Sequence, residues 1–556
     1  MSSSPATCAD HCEIHGVVGT EDRNCPGCYG RSGTLQDASA GRIGHGVQRT
    51  TAKPPTACAT FSSLLLARPL IVCLLATGLG ADTPDILAGR RVDSEIRVSS
   101  RLEADLRTLC DGIGSRMSGT PGMRQALDWA RTAFIEAGLA NTALEPVAMP
   151  FRWEEGETRL EVIAPYSFGV RVAAAAKAPA VPEAIEASLL DGGSGRPGTI
   201  SDAENRFRGA VLIVELDQVD SFDDLAREQR DAMIAIREAA EVGAQAVLFI
   251  STRPGLLLYR HVNSVSGHLD PIPSALVGRS DGMRMLRLLR SGESIRVRFS
   301  MPNRIGEAYE TANVVAEIPG RELPEEIVLL GAHLDSWDMG TGCMDNAANA
   351  ALVVHVARSI SRASARPRRT VRFALFGGEE FGLFGSLAYA EQHRSELDRH
   401  VATVVHDMGA GPLLGYASGG RAKLVPQVES ILRSAELAGA LRHTDEAHFI
   451  SDNFTFTLRG VPSLFAVQDT SGFFLGYHAE SDTLDKVRVK DVRDAASVAA
   501  ALTLGIANQP ERFGERLPDG VVRAWLRRER LDRHLRFLGV WDSWYERAED
   551  GELGAE

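Results

Sequence analysis

Between residues 312 and 509 short apolar runs alternate with helical stretches, and nothing else in the 556-residue chain restricts its fold as much. The runs lie at 327–330, 371–376, 401–405 and 463–467, and the helical stretches at 346–361, 422–438 and 489–507. A parallel strand pair needs a crossover long enough to hold a helix, so this order predicts an α/β fold with a doubly wound, largely parallel sheet flanked by helices. Sheets of that kind bind ligands beyond the carboxyl ends of their strands. The residues that follow each apolar run are therefore where chemistry is expected.

Acids and histidines stand at all four places. The first run delivers His333 and Asp335, which alternation puts on the same side of the strand. That makes His333 a candidate metal ligand and Asp335 the acceptor for its second ring N–H. A glycine-rich loop at 339–344 leads to Asp345, which opens the next helix. The second run ends at Glu379 and Glu380. Adjacent carboxylates are costly at a strand end unless a cation is near. Their side chains diverge, so one can bind metal while the other faces a bound water. The third run ends at His406 and Asp407, and Tyr477 and His478 follow the fourth. Two divalent ions would be neutralised by Asp345, Glu380, Asp407 and one bridging hydroxide, with His333 and His478 neutral. Oxygen and imidazole donors suit zinc, with manganese and cobalt as alternatives.

The stretch His333-Leu334-Asp335-Ser336-Trp337-Asp338, followed by Met344-Asp345, Glu379-Glu380, Asp407 and His478, resembles the dizinc exopeptidases related to aminopeptidase Y and glutamate carboxypeptidase, in their carboxypeptidase Q-like branch. The likeness runs from about residue 100 to 507 and includes 116–120 and 144–147. It implies two zinc ions, one held by His333 and Asp407, the other by Glu380 and His478, with Asp345 bridging. It implies that Glu379 is the general base and that Tyr477 aids the tetrahedral intermediate. It further implies that 150–305 is an inserted protease-associated (PA) domain, that the Asp345–Asn346 peptide bond is cis, and that the substrates are dipeptides or short peptides cut at one end. Cys343 stands where the family usually has a small residue and is read as filling space; Asn346 replaces an aspartate of that branch. A non-catalytic binding protein on the same fold and a glutaminyl cyclase, which lacks the insert, are the competing readings.

The rest of the chain divides around this region. Residues 82–149 form an N-terminal helical part of the catalytic domain, with Leu102, Leu106 and Leu109 at helical spacing and a second helix from about 122 to 137. From 150 to 305, apolar runs at 160–164, 210–216 and 246–250 surround one long helix at 224–242, which reads as a small β-rich unit. The catalytic domain resumes at 306–509. In the tail, 510–556, Trp525, Leu531, Leu535 and Leu538 are expected on one helix face docked on its own domain, a homodimer contact being the alternative. A formal charge of −13 argues against a nucleic-acid partner. Residues 1–81 hold six of the eight cysteines and read as a leader. Cys8, Cys12, Cys25 and Cys28 lack the apolar periodicity of a folded zinc site. The segment 61–81 has a secretory pattern, and its position puts the translation start downstream, at Val47. Removal near Ala81 predicts a secreted or periplasmic protein with two cysteines, no disulfide framework and no stable membrane partner. An uncleaved anchor is the alternative, although Arg68 and Pro69 interrupt the stretch.

Overall fold

The computed structural model describes residues 84–545, except 438, 450 and the side chains of 203–205. The leader, its cysteines and the signal-like segment lie outside the described residues.

Seven strands form the sheet that carries the acids and histidines. They are β1 (Ala140–Met149), β2 (Tyr309–Ile318), β3 (Leu323–His333), β4 (Arg369–Phe376), β5 (His400–His406), β6 (Leu413–Ala417) and β7 (Ser463–Gln468). Their order is β1-β2-β4-β3-β5-β7-β6. The central β4, β3, β5 and β7 run parallel, as the alternation predicts. β2 and β6 run antiparallel to them, and the edge strand β1, paired antiparallel to β2, points the same way as the central strands. Every residue of β4 and β5 is buried. Burial on both faces is why these strands read as unbroken apolar runs.

Alternate strand residues enter two cores. Val328, Leu330, Phe373 and Leu375 pack under the helices Ala348–Arg362, Val489–Asn508 and Pro121–Glu136. Leu329, Ala374 and Phe376 face Tyr389 and Phe456 on the other side. The helix Pro121–Glu136 begins where the Thr120 side chain accepts from the Met123 N–H at 3.4 Å, with Pro121 in its first turn. It ends at Gly138, whose φ of +74° suits glycine.

A second sheet, of eight strands, is built from residues between Arg159 and Met301. Its long helix is Phe222–Glu241, capped by Ser221. The apolar cluster under this sheet reaches Trp337 and Phe381 of the first sheet's loops. Arg260, 1% exposed, joins the two parts by donating to both Asp338 oxygens at 3.0 Å and to Glu155 at 2.8 Å.

Three expectations need correction. Asp345 does not open a regular helix: its backbone and that of Asn346 are non-helical, and the α-helix begins at Ala348. The tail is not one amphipathic face but three short helices, Asp519–Arg528, Leu531–Leu538 and Trp541–Trp544, broken at Arg530 with φ +59°. Leu531 and Leu535 still dock on the chain's own Leu383, Phe454 and Leu458. Finally, the two late cysteines pair. Cys110 and Cys343, 233 residues apart in sequence, form a disulfide with Cα atoms 5.6 Å apart. The space-filling reading of Cys343 misses a cross-link between the N-terminal helical part and the loop before Asp345. No helix among the described residues is long and apolar enough to cross a membrane.

Candidate metal centre

Strand register gathers the sequence candidates at one sheet edge. His333 pairs opposite Phe376, and Gly331 opposite Val405, so the residues after β3, β4 and β5 emerge side by side. His333 Nε2 lies 3.0 Å from Asp407 Oδ1 and 3.2 Å from Asp345 Oδ1. His478 Nε2 lies 2.9 Å from Glu380 Oε2 and 3.4 Å from Asp345 Oδ2. Asp345 thus presents one oxygen to each imidazole. Glu379 clusters with His333 and Asp407. All five candidate ligands and Glu379 share one site, and the Asp345–Asn346 bond is cis.

Behind these side chains, buried groups hold the backbone that carries them. The Asp335 carboxylate accepts the N–H groups of Glu379 at 3.2 Å and Glu380 at 3.4 Å. His333 Nδ1 instead sits 3.1 Å from the Asp335 carbonyl oxygen, against 3.7 Å from its carboxylate. Asp335 therefore orients the histidine through its main chain and the glutamate pair through its side chain. Asp482 accepts from the Met344 N–H at 2.7 Å and the Asp345 N–H at 3.1 Å. Arg116, fully buried, donates to the carbonyls of Leu334, Thr341 and Gly342. Gly342 has φ +62°, and a Cβ there would lie 2.4 Å from the Ser336 Cβ. Asn346 donates to the His406 carbonyl at 3.0 Å. His478 has φ +55°, and its carbonyl accepts the Arg260 N–H at 2.8 Å.

Sequence reasoning does not reach Arg116, Asp482 or Asp452. Arg116 opens the stretch 116–120 and Asp482 follows His478 closely, but the site backbone that each holds, Leu334 for Arg116 and Met344 for Asp482, is distant in sequence. Asp452 is fully buried, and neither carboxylate oxygen has a hydrogen-bond partner among the described residues. Burial pushes it up to about 7. Its one local signal is its place at the start of the helix Asn453–Leu458.

Burial also pushes Glu379 and Glu380 well above the usual carboxylate range, and their acidic neighbours Asp345 and Asp407 add to it. Burial opposes charge on His333, but Asp407 and Glu379 outweigh it and hold this imidazole well up. Burial dominates at His478, which falls to about 4. Four carboxylates and two imidazoles packed this closely have a shortage of positive charge that a bound cation would relieve. Glu380 Oε1 is buried with no partner among the described residues. The donor set, all oxygen and imidazole nitrogen, fits zinc.

The site opens into a cleft. Glu379, Glu380, Tyr477 and His478 form its floor, and the Tyr477 ring stacks on His478 with centroids 3.7 Å apart. Phe222, Leu225 and Arg230 from the helix Phe222–Glu241 form one wall, and His534, Leu538 and Trp544 from the tail form another.

Residues 313–503 match the family model described as Peptidase family M28. Human carboxypeptidase Q is 26% identical over 421 residues, which cover 75% of this chain and 87% of that protein. Leupeptin-inactivating enzyme 1 of Streptomyces exfoliatus is 30% identical over 215 residues, 35% of this chain and 48% of that one. Among solved structures, a peptidase M28 precursor from Shewanella amazonensis superposes with a TM-score of 0.70 at 24% identity, covering 78% of this chain and 99% of that chain. A zinc aminopeptidase from Bacillus subtilis superposes with a TM-score of 0.58 at 18% identity, over 78% and 98%.

Proposed function

We propose, from the premise that residues 313–503 make this chain a member of peptidase family M28, that it is a zinc-dependent exopeptidase working on dipeptides or short peptides with two zinc ions. The observation that carries the two-ion reading is Asp345, whose oxygens face His333 at 3.2 Å and His478 at 3.4 Å. His333 and Asp407 would hold one ion, Glu380 and His478 the other, with Asp345 between them. The PA-like reading of residues 150–305 and export from the cytoplasm belong to the same proposal.

Bound zinc supplies Lewis acidity and a water of lowered pKa. Glu379 is the remaining carboxylate, placed by the Asp335 side chain through its own backbone N–H. It takes the proton from the attacking water and returns it to the leaving amine. Burial favours the protonated form of Glu379 once it has accepted that proton. Tyr477, packed on His478 and lining the cleft, would orient the substrate and donate to the developing oxyanion.

The test pairs metal analysis with digestion of a library of dipeptides and short peptides read by mass spectrometry. Two zinc ions per chain and loss of terminal residues are expected. A metal-loaded protein that hydrolyses nothing, or that yields a product lighter by water or ammonia, would overturn the reading.

A further inference from the structure

We propose that Arg230, on the helix Phe222–Glu241, reads the free carboxylate of the substrate's last residue while the cleft around it takes that residue's apolar side chain. This rests on the exopeptidase reading and adds to it the end of the peptide that is engaged and the residue that chooses it.

The cleft's charges are few and separated by role. Among the described residues that line it, the only carboxylates are Glu379 and Glu380, both at the floor where the bond is cut. The arginine among them is Arg230, on the wall. His534, also on the walls, is pushed down by burial and by Arg230 itself, both of which disfavour its cation. A substrate ammonium entering this cleft meets no lining carboxylate beyond the two already at the floor. A substrate carboxylate meets a guanidinium.

Arg230 is also oriented for the task. Its Nε donates to Asp231 Oδ1 at 3.0 Å, and an Nη lies 2.9 Å from the same oxygen. Asp231 is itself buried, while the Arg230 side chain keeps 31% of its surface exposed. A guanidinium carries five donors in a planar fork, and the Asp231 pair fixes one edge of it. The fork matches a second carboxylate with two parallel hydrogen bonds. The surrounding wall is apolar: Phe222, Leu225, Val262, Phe449, Leu538 and Trp544. Such a surface favours a large apolar side chain beside the bound carboxylate.

The experiment compares Ser-Phe with Ser-Phe-amide as substrates for the zinc-loaded full chain, in wild type, Arg230→Met and Arg230→Lys. Wild type is expected to favour the free acid in kcat/KM by about 10- to 100-fold, the range of a charge-assisted hydrogen-bonded pair. Arg230→Met should bring the ratio to within about threefold, mainly through KM, and Arg230→Lys should fall between because it keeps charge without the fork. A wild-type enzyme that cleaves acid and amide equally well, or an Arg230→Met variant that keeps the wild-type ratio, overturns the assignment of Arg230 alone. Failure of the zinc-loaded wild type to cleave either substrate overturns the exopeptidase reading and this assignment with it.

Discussion

Replacing Asp482 with asparagine tests whether the site depends on the backbone that delivers Asp345. Asp482 is 2% exposed, and its two oxygens take the Met344 and Asp345 N–H groups at 2.7 and 3.1 Å. Asparagine keeps the shape and one acceptor but turns an NH2 toward the second N–H. One buried backbone donor is then unsatisfied, at about 1–3 kcal/mol. That penalty falls on the segment that positions Asp345 between the two histidines. Loss of a supporting partner of this kind typically lowers metal affinity by about 10- to 100-fold, which converts to about 1.4–2.8 kcal/mol. The two routes agree, so Asp482→Asn should bind zinc about 10- to 100-fold more weakly, measured by competition with a chromophoric chelator at pH 8. Its metal-free melting temperature, recorded in parallel, separates site from fold. Zinc affinity within threefold of wild type would refute the reasoning, as would a large fall in melting temperature with unchanged affinity.

Glu379→Gln should retain zinc and fold but lose about 10²–10⁴-fold in kcat; near wild-type turnover would remove the assigned base. Arg260→Met should lower stability by about 3 kcal/mol in urea denaturation, because it strands Asp338 and Glu155 at the junction of the two sheets; a change under about 1 kcal/mol would show that the junction does not depend on this pair. His355 and His400 should each withdraw stability from the chain in mild acid. Burial holds His355 and His400 at about 4 in the folded state, whereas an unfolded histidine titrates near about 6.5. Below that value the unfolded histidines bind protons the folded ones refuse, so the contribution of this pair to stability falls from about pH 6.5 toward 4, by on the order of 1–3 kcal/mol per group. Denaturation midpoints at pH 7.5 and 5.0 check this, and His355→Gln should flatten the difference.

The legible part of this protein is the part where a residue's neighbours in sequence determine its place. Fully buried parallel strands are continuous apolar runs, and the residues after them must meet at one edge; the sequence alone therefore groups His333, Glu379, Glu380 and Asp407. The edge strands are harder to read. β1 exposes most of its first half, so its alternation carries little apolar signal. Alternation places Asp335 beside His333 but does not show its side chain's task, because the partners are N–H groups 44 and 45 residues away. The regular helix expected from Asp345 fails for a similar reason. The local pattern is helical, but Asp482, 137 residues on, holds the Asp345 N–H in a different conformation. The Cys110–Cys343 pairing is the longest case: two lone cysteines in sequence cannot show that their Cα atoms come within 5.6 Å.

The cleft walls have a consequence for how this protein's preference can change. Phe222, Leu225 and Arg230, like Leu538 and Trp544, lie outside the segment 313–503 that carries the family likeness and every proposed zinc ligand. Substitution in those walls can alter which residue is admitted while the hydrolytic apparatus stays as it is. Two proteins sharing the matched segment can therefore diverge in diet without passing through an inactive ancestor, and a substrate assigned to one does not transfer to the other unless the helix Phe222–Glu241 and the tail are compared as well.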